Sequence, residues 1–281
     1  MSQAAAAGQV RLPGRPAGAL TGLGACLRAE WTKTRTVAGP GWLLAATAVL
    51  TVAVSAAVIA AVRCPAGMAC PVDPGRLSLT GVQLGQAVVA ILGVLTIGTE
   101  YSTGMMRTTL IATPRRSLVL AAKAAVLTGG VLLAGAAGVL GSVLAGRLIM
   151  PGHGFTAARG FVPLSLASGP VLRAAGGSVL YLALIALLSL GVAALVRDSA
   201  AAIGIVLGLL YLAPIAASFI TNHHWRGRVE RYSPMQAGLA IQATRHLAGL
   251  PISPWGGLGV LAAWAAAALL AGGLLLRLRD A

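Results

Sequence analysis

The sequence predicts an all-α polytopic membrane protein with six transmembrane helices, and three observations carry that expectation. Charged residues make up 10% of the 281 positions and hydrophobic ones 57%, whereas soluble domains carry about 25% charged residues. Six stretches lack Asp, Glu, Lys and Arg altogether: Thr36 to Val62, Leu77 to Thr99, Ala124 to Gly146, Ala174 to Val196, Ser199 to Trp225 and His246 to Leu276. Each reaches or exceeds the ~20 residues that cross about 30 Å of hydrocarbon as a helix. Segments such as LLAATAVLTVAVSAAVIAAV (Leu43 to Val62) and GVLAAWAAAALLAGGLLL (Gly259 to Leu276) are also apolar all round, where a soluble surface helix would show one apolar stripe.

Taken in order, residues 1–18 read as a disordered tail, with Pro13, Pro16 and many small residues. Residues 19–36 read as an amphipathic helix along the cytoplasmic membrane surface. Leu20, Leu23, Leu27 and Trp31 recur at intervals of three and four, beside Arg28, Lys33 and Arg35. Such a helix serves either as a juxtamembrane anchor or as a contact for a partner. The transmembrane domain occupies 37–281, with spans expected at about 41–62, 80–99, 118–146, 174–196, 200–221 and 256–276. The first apolar run is too long for the core of a cleaved signal peptide. The outer loop RCPAGMACPVDPGR holds Cys64 and Cys70, which form a disulfide if the loop faces an oxidising compartment and otherwise stay as two thiols. Spans four and five are joined by little more than Arg197 to Ser199, which forces a tight antiparallel hairpin. Gly81 with Gly85, and Gly204 with Gly208, have the spacing of close helix contacts. Ser55, Ser142, Ser178, Ser189 and Ser218 are expected to bond back to their own helices.

A net charge of +15 would point a soluble chain toward nucleic acid. Here the arginines cluster between apolar runs, where they anchor helix ends at lipid headgroups, so no nucleic-acid partner is expected. An even number of spans puts both termini on one side, which then holds twelve of the 21 basic residues against nine opposite. Lys33 and Arg35 lie directly before the first span, which favours cytoplasmic termini in a multi-pass cell-membrane protein.

One polar segment breaks the pattern: GTEYSTGMMRTTLIATPRRS, Gly98 to Ser117. Placing Glu100, Arg107, Arg115 and Arg116 at bilayer depth would cost about 2.5 to 3.5 kcal/mol each, so the segment belongs outside the hydrocarbon on the side of the termini. Tyr101 to Thr113 lacks proline and predicts a short helix with Met106 and Leu110 four apart. Pro114 stops it, because the residue before a proline avoids helical geometry. Arg115, Arg116 and Lys123 then restart the chain at headgroup level. The product is a compact, partly apolar elbow suited to touching another protein.

The chemistry that is missing narrows the function. A Walker A loop needs Gly-Lys to place an ammonium on the phosphates, but the only lysines, Lys33 and Lys123, follow Thr32 and Ala122. HExxH, GxSxG and CxxC are also absent from the sequence, and His223, His224, Glu230 and His246 of an outer loop match no metal motif. No catalytic, metal or cofactor site is expected, and the chain does not read as an enzyme. Either it moves a substrate with energy supplied by another chain, or it is a non-transporting anchor or sensory subunit that binds an ATPase or a signalling protein.

LRAEWTKTRT (Leu27 to Thr36), GTEYSTGMMRTTLIATPRRSLVLAAK (Gly98 to Lys123), RYSPMQAG (Arg231 to Gly238) and LLRLRDA (Leu275 to Ala281) resemble the permease subunits of bacterial, particularly actinobacterial, ABC-2 type ABC transporters. The likeness runs in order from about residue 20 to the end; Ser233 departs from it, where related chains often carry Leu. The resemblance implies a type V exporter-like transmembrane domain, paired as a homodimer or with a related permease. Separately encoded ATP-binding subunits would hold the ATP and Mg, and a small apolar or amphiphilic substrate would be exported. It further implies an ATPase-coupling elbow made by Glu100, Tyr101, Gly104, Met106, Arg107, Leu110, Pro114, Arg115 and Arg116. The surface helix, with Leu23, Leu27, Glu30 and Trp31, would pack beside that elbow, and Arg226 to Leu250 would form short helices dipping into the outer leaflet.

Overall fold

A computed structural model describes residues 19–64, 72–105, 116–156, 161, 164–219 and 221–278. The helices are α1 (Ala19–Thr36), α2 (Ala38–Ala61), α3 (Pro74–Ser78), α4 (Val82–Ser102), α5 (Arg116–Ile149), α6 (Gly169–Val196), α7 (Ser199–Phe219), α8 (His223–Tyr232), α9 (Pro234–Leu239) and α10 (Pro254–Leu278). No strand occurs among the described residues. Six helices, α2, α4, α5, α6, α7 and α10, are long and apolar enough to cross a membrane. The chain is an all-α, multi-pass membrane protein. Residues 1–18, expected to form a tail, lie outside the described residues.

The spans differ in length for readable reasons. Helix α5 has 34 residues, about 50 Å at 1.5 Å per residue, so it overshoots the hydrocarbon that its expected core of 118–146 would fill and must tilt or protrude. It ends in a 3-10 turn, Met150–His153, with Gly154 in the left-handed region at φ 94°. Helix α6 ends at Arg197, also left-handed at φ 61°. The Asp198 carboxylate then accepts the Ala201 amide at 2.7 Å and so caps α7, closing the short hairpin.

Helix α6 is the hub and packs against α10, α4, α5 and α7. Of its apolar window 67% is buried, against 22% for α2 and for α7, which leaves those two helices to face lipid or a partner. Tyr181, Leu182, Ile185, Leu188 and Leu190 of α6 are all but inaccessible. Between α8 and α10, the short helix α9 and the turn Ala240–Gln242 are buried along nearly their whole length against α6 and α10. The Gln242 amide donates to Leu79 O and Ser178 Oγ.

The two glycine pairs behave differently. A Cβ on Gly81 would sit 2.0 Å from Thr51 O, and one on Gly85 would sit 2.4 Å from Thr51 Oγ1, so that pair lets α4 lie directly on α2. Ser55 shares in this contact by accepting the Gly81 amide at 3.0 Å. By contrast Ser142, Ser178, Ser189 and Ser218 bond back to their own helices as expected. Gly204 has open space in front of it and Gly208 meets only Leu212 of its own helix. In the segment after α2 Cys64 is disulfide-bonded, Cys26 is a buried free thiol, and Cys70 lies outside the described residues.

At the end of the bundle away from α1, Asp73 ties two distant segments together. Its carboxylate caps α3 by accepting the Gly75 and Arg76 amides. It also accepts the Thr244 amide at 2.6 Å, the Arg245 amide at 2.9 Å and the Thr244 hydroxyl. Burial alone pushes this carboxyl up, but the hydrogen bonds from Thr244, Arg245 and Arg76 outweigh it and hold the pKa below the ordinary 3.8. A carboxylate depressed in the folded state stabilises the fold above its unfolded pKa and loses that contribution as pH falls through the lower, folded value.

Two outcomes follow for thermal unfolding of the purified protein in detergent. Gly81→Ala, which forces a methyl into a backbone carbonyl, should cost about 1–3 kcal/mol, whereas Gly204→Ala should leave stability unchanged or slightly raised. Acidification below about pH 4 should lower the melting temperature of the native chain more steeply than that of Asp73→Asn. Parallel acid profiles would show that Asp73 does not pin α3 to the Thr244–Arg245 segment.

Candidate functional site

Glu30 and Lys33 lie one turn apart on α1, Thr96 and Glu100 one turn apart near the end of α4, and Lys123 in the second turn of α5. The fold brings these three elements together at the end of the bundle that carries α1. Lys123 is fully buried. Its ammonium donates to Glu30 Oε1 at 2.9 Å, to Glu100 Oε1 at 2.7 Å and to Thr96 O at 3.4 Å. An ammonium has three donors, and here each finds an acceptor. Lys33 reaches the same Glu100 oxygen from α1. Two cations and two carboxylates therefore make a neutral cluster.

A compact ammonium on a flexible stem fits this tetrahedral demand, whereas the planar fork of an arginine does not. The cluster welds α1 to the ends of α4 and α5, because parting Lys123 from Glu30 or Glu100 would strand a charge away from water. Lys123, expected at headgroup level beside Arg115 and Arg116, is buried within the protein between two carboxylates, which meet its donors and remove the need to reach out to water.

Around the cluster, arginines take up helix ends. Arg116 donates to Leu276 O at 2.6 Å and Arg197 to Leu275 O at 3.3 Å, so both satisfy carbonyls in the last turn of α10 and oppose the negative end of its dipole. The Arg197 guanidinium also lies 5.5 Å from the Tyr101 ring centroid. Helix α10 is thereby held to the start of α5 and to the α6–α7 hairpin.

Of the residues expected in the elbow, Glu100 and Tyr101 occupy the last turn of α4, with Glu100 buried. Gly104, left-handed at φ 70°, closes α4 within the stretch Tyr101 to Thr113 where a helix was expected: the Thr103 amide closes on Thr99 O and the Gly104 amide on Tyr101 O, as at other helix ends capped by glycine. Arg116 opens α5. Met106, Arg107, Leu110, Pro114 and Arg115 lie outside the described residues. On α1, Leu23 and Leu27 are half-buried, Trp31 is exposed and Glu30 points into the cluster.

Beside the cluster, α1, the start of α2, α4 and α5 enclose a cavity of about 340 Å³. At the far end of the bundle Glu230 pairs with Arg226 on α8 at 2.9 Å, and the described residues contain no group of three potential metal ligands.

Sequence reasoning missed Lys33 and Lys123 as a pair, although a signal was present. They are the only lysines among 21 basic residues, and both converge on Glu100. No protein-family model matches the chain, and a search of curated proteins finds no match.

Replacing Lys123 by Met should cost about 3–5 kcal/mol, because two buried carboxylates lose their shared cation, and Lys123→Arg should not restore the loss. Thermal unfolding in detergent checks this. A Lys123→Met protein as stable as the native chain would show that the cluster does not hold α1, α4 and α5 together.

Proposed function

We propose that this chain is the membrane-spanning permease subunit of an ABC-2 type ABC transporter in the cell membrane. It would act with both termini cytoplasmic, as a homodimer or with a related permease, and export a small apolar or amphiphilic substrate. The observation that carries the reading is the joint just described. A helix lying ahead of the first span is ion-paired into the ends of spans two and three, immediately before the polar segment that resembles a coupling elbow. The sequence supplies no phosphate-binding loop of its own, so energy would have to arrive through contact with a separate ATPase, which would hold the ATP and Mg.

In this mechanism, ATP-driven closure of the partner subunits presses on the elbow after Ser102. Because α1, α4 and α5 share one ionic joint, the push moves them together. Helix α6, packed on α4, α5, α7 and α10, passes the displacement to the rest of the bundle, and the substrate path alternates between the two sides. Coupling of this kind requires that the elbow contact the ATPase differently in its two states.

The test is reconstitution with the ATPase encoded beside it. Arg107→Glu with Arg115→Glu should lower substrate-stimulated ATP hydrolysis and export by about tenfold, within the usual range of coupling free energies. Full activity in that double variant would remove the elbow from the mechanism. Binding of an ATPase without substrate-dependent hydrolysis or flux would favour the anchor or sensory role. A cysteine introduced between Ser102 and Arg116 that reacts with an impermeant thiol reagent from outside intact cells would reverse the orientation.

A further inference from the structure

The cavity beside the ion cluster is divided by chemistry. Its lining joins Trp31, Lys33 and Arg35 of α1 to Leu44, Leu95 and Leu127, which lie about a turn or more further into α2, α4 and α5 than Pro40, Glu100 and Lys123. The division follows from the helix break at Val37, whose extended backbone (φ −91°, ψ 122°) separates α1 from α2. The surface helix turns away from the span there and leaves a wedge with a polar rim and an apolar floor.

Charge bookkeeping then identifies the kind of occupant. Lys33, Lys123 and Arg35 bring three positive charges, while Glu30 and Glu100 bring two negative ones. Lys33 and Lys123 are matched within the cluster. Arg35 is exposed, stacks 5.8 Å from the Trp31 ring centroid and has no carboxylate partner among the described residues. One guanidinium is thus left at the mouth of an apolar slot, where a bidentate anion such as a phosphate is its natural partner. A small free anion would leave the leucine end unfilled, and an uncharged hydrocarbon would leave Arg35 unmatched.

We infer that this cavity binds one anionic phospholipid from the leaflet next to α1. The phosphate lies at Arg35 and the upper part of one acyl chain lies between α2, α4 and α5. At about 340 Å³ the space is at the lower end of ligand pockets, roughly 300–1,000 Å³, so the rest of the lipid continues along the membrane-facing surface. The bound lipid covers the ion cluster from the bilayer side and makes the seating of α1 sensitive to anionic lipid. The inference rests on the six-span membrane fold and not on an ATPase partner, so it survives or fails separately from the transport reading.

Trp31, on the wall of the cavity, supplies the probe. A chain keeping Trp31 as its sole tryptophan is reconstituted in phosphatidylcholine vesicles containing a minority of dibrominated phosphatidylglycerol, or the same amount of dibrominated phosphatidylcholine. The anionic brominated lipid should quench Trp31 more strongly and reach saturation. Arg35→Gln should weaken that preference about fivefold, the worth of one basic side chain at an anionic surface, and Leu95→Phe, which fills the slot, should abolish it. Equal quenching by both lipids would overturn the site, as would a preference unchanged in both variants, which would mark general surface attraction. Competition by inorganic phosphate alone at low concentration would replace the lipid by a free anion and equally overturn the proposal. Native mass spectrometry of the unsubstituted protein released from the mixed vesicles gives a second readout that does not depend on the tryptophan replacements. One retained phosphatidylglycerol, lost in Arg35→Gln, is expected, and no retained lipid, or indiscriminate retention, would refute it.

Discussion

A lysine ammonium with no access to solvent sits between two carboxylates in the second turn of a membrane helix, and much of this end of the molecule is arranged around it. Taking such a charge out of water costs several kcal/mol even after relaxation. Lys123 can therefore remain inside only if Glu30, Glu100 and the Thr96 carbonyl are all in place. Glu30 belongs to α1, which is not one of the six helices long and apolar enough to cross a membrane. The requirement thus reaches beyond those six helices and fixes α1 against them. Lys33 completes the neutrality of the group and gives α1 a second hold, one turn further on. Neither carboxylate can be displaced alone, because removing either leaves the central ammonium short of an acceptor.

The other end of the bundle uses a different device for the same purpose. There a single carboxylate, Asp73, gathers amides and a hydroxyl from its own helix cap and from the Thr244–Arg245 segment. Arg173 adds a bond to Ala243 O at 2.7 Å and the Arg245 guanidinium lies 5.2 Å from the Phe161 ring centroid. Between the two ends the contacts are mainly apolar and rely on close approach, as where α6 and α10 meet: a Cβ on Gly191 would come within 2.6 Å of the α10 backbone. In lipid, apolar side chains give no hydrophobic drive to helix association, so small residues and sparse polar bonds must do the specifying. The fold accordingly concentrates its polar bonds at the two ends and its small residues in the middle.

The spans were legible because a crossing helix needs only length and uniform apolarity, and both are one-dimensional properties of a sequence. Contacts are not. Gly81–Gly85 and Gly204–Gly208 are indistinguishable as spacings, yet the first pair presses on Thr51 and the second faces open space, because only α4 has a neighbour on that face. Ser55 looked like any other membrane serine until α4 delivered the Gly81 amide to it. Lys123 and Glu100 are 23 positions apart and Glu30 is 93 from Lys123, separations at which no periodicity links them. The one hint was compositional. In a chain that otherwise uses arginine for its basic residues, the two exceptions both needed a small, three-donor cation. Gly104 was likewise visible as a residue, but its left-handed backbone marks a helix end only once Thr99 and Tyr101 are seen accepting from Thr103 and Gly104.

The cluster also limits how this end of the protein can move. If α1 shifted relative to α4 and α5 by more than the slack in a hydrogen bond, the Lys123–Glu30 contact would part and leave the buried ammonium short of an acceptor, a penalty of about 3–5 kcal/mol, while Lys33, a third exposed, would return to water at little cost. That exceeds the 1–3 kcal/mol typical of coupling between distant sites. A signal of that size cannot break the joint, and so it must carry α1, α4 and α5 as one body. Between α1 and α2 the helical path is broken at the extended residue Val37, and α4 closes with the left-handed Gly104. Both places lie at the end of the bundle that carries α1. A force applied there by a lipid or by another protein would be delivered to spans two and three together, and from them to α6, which touches both.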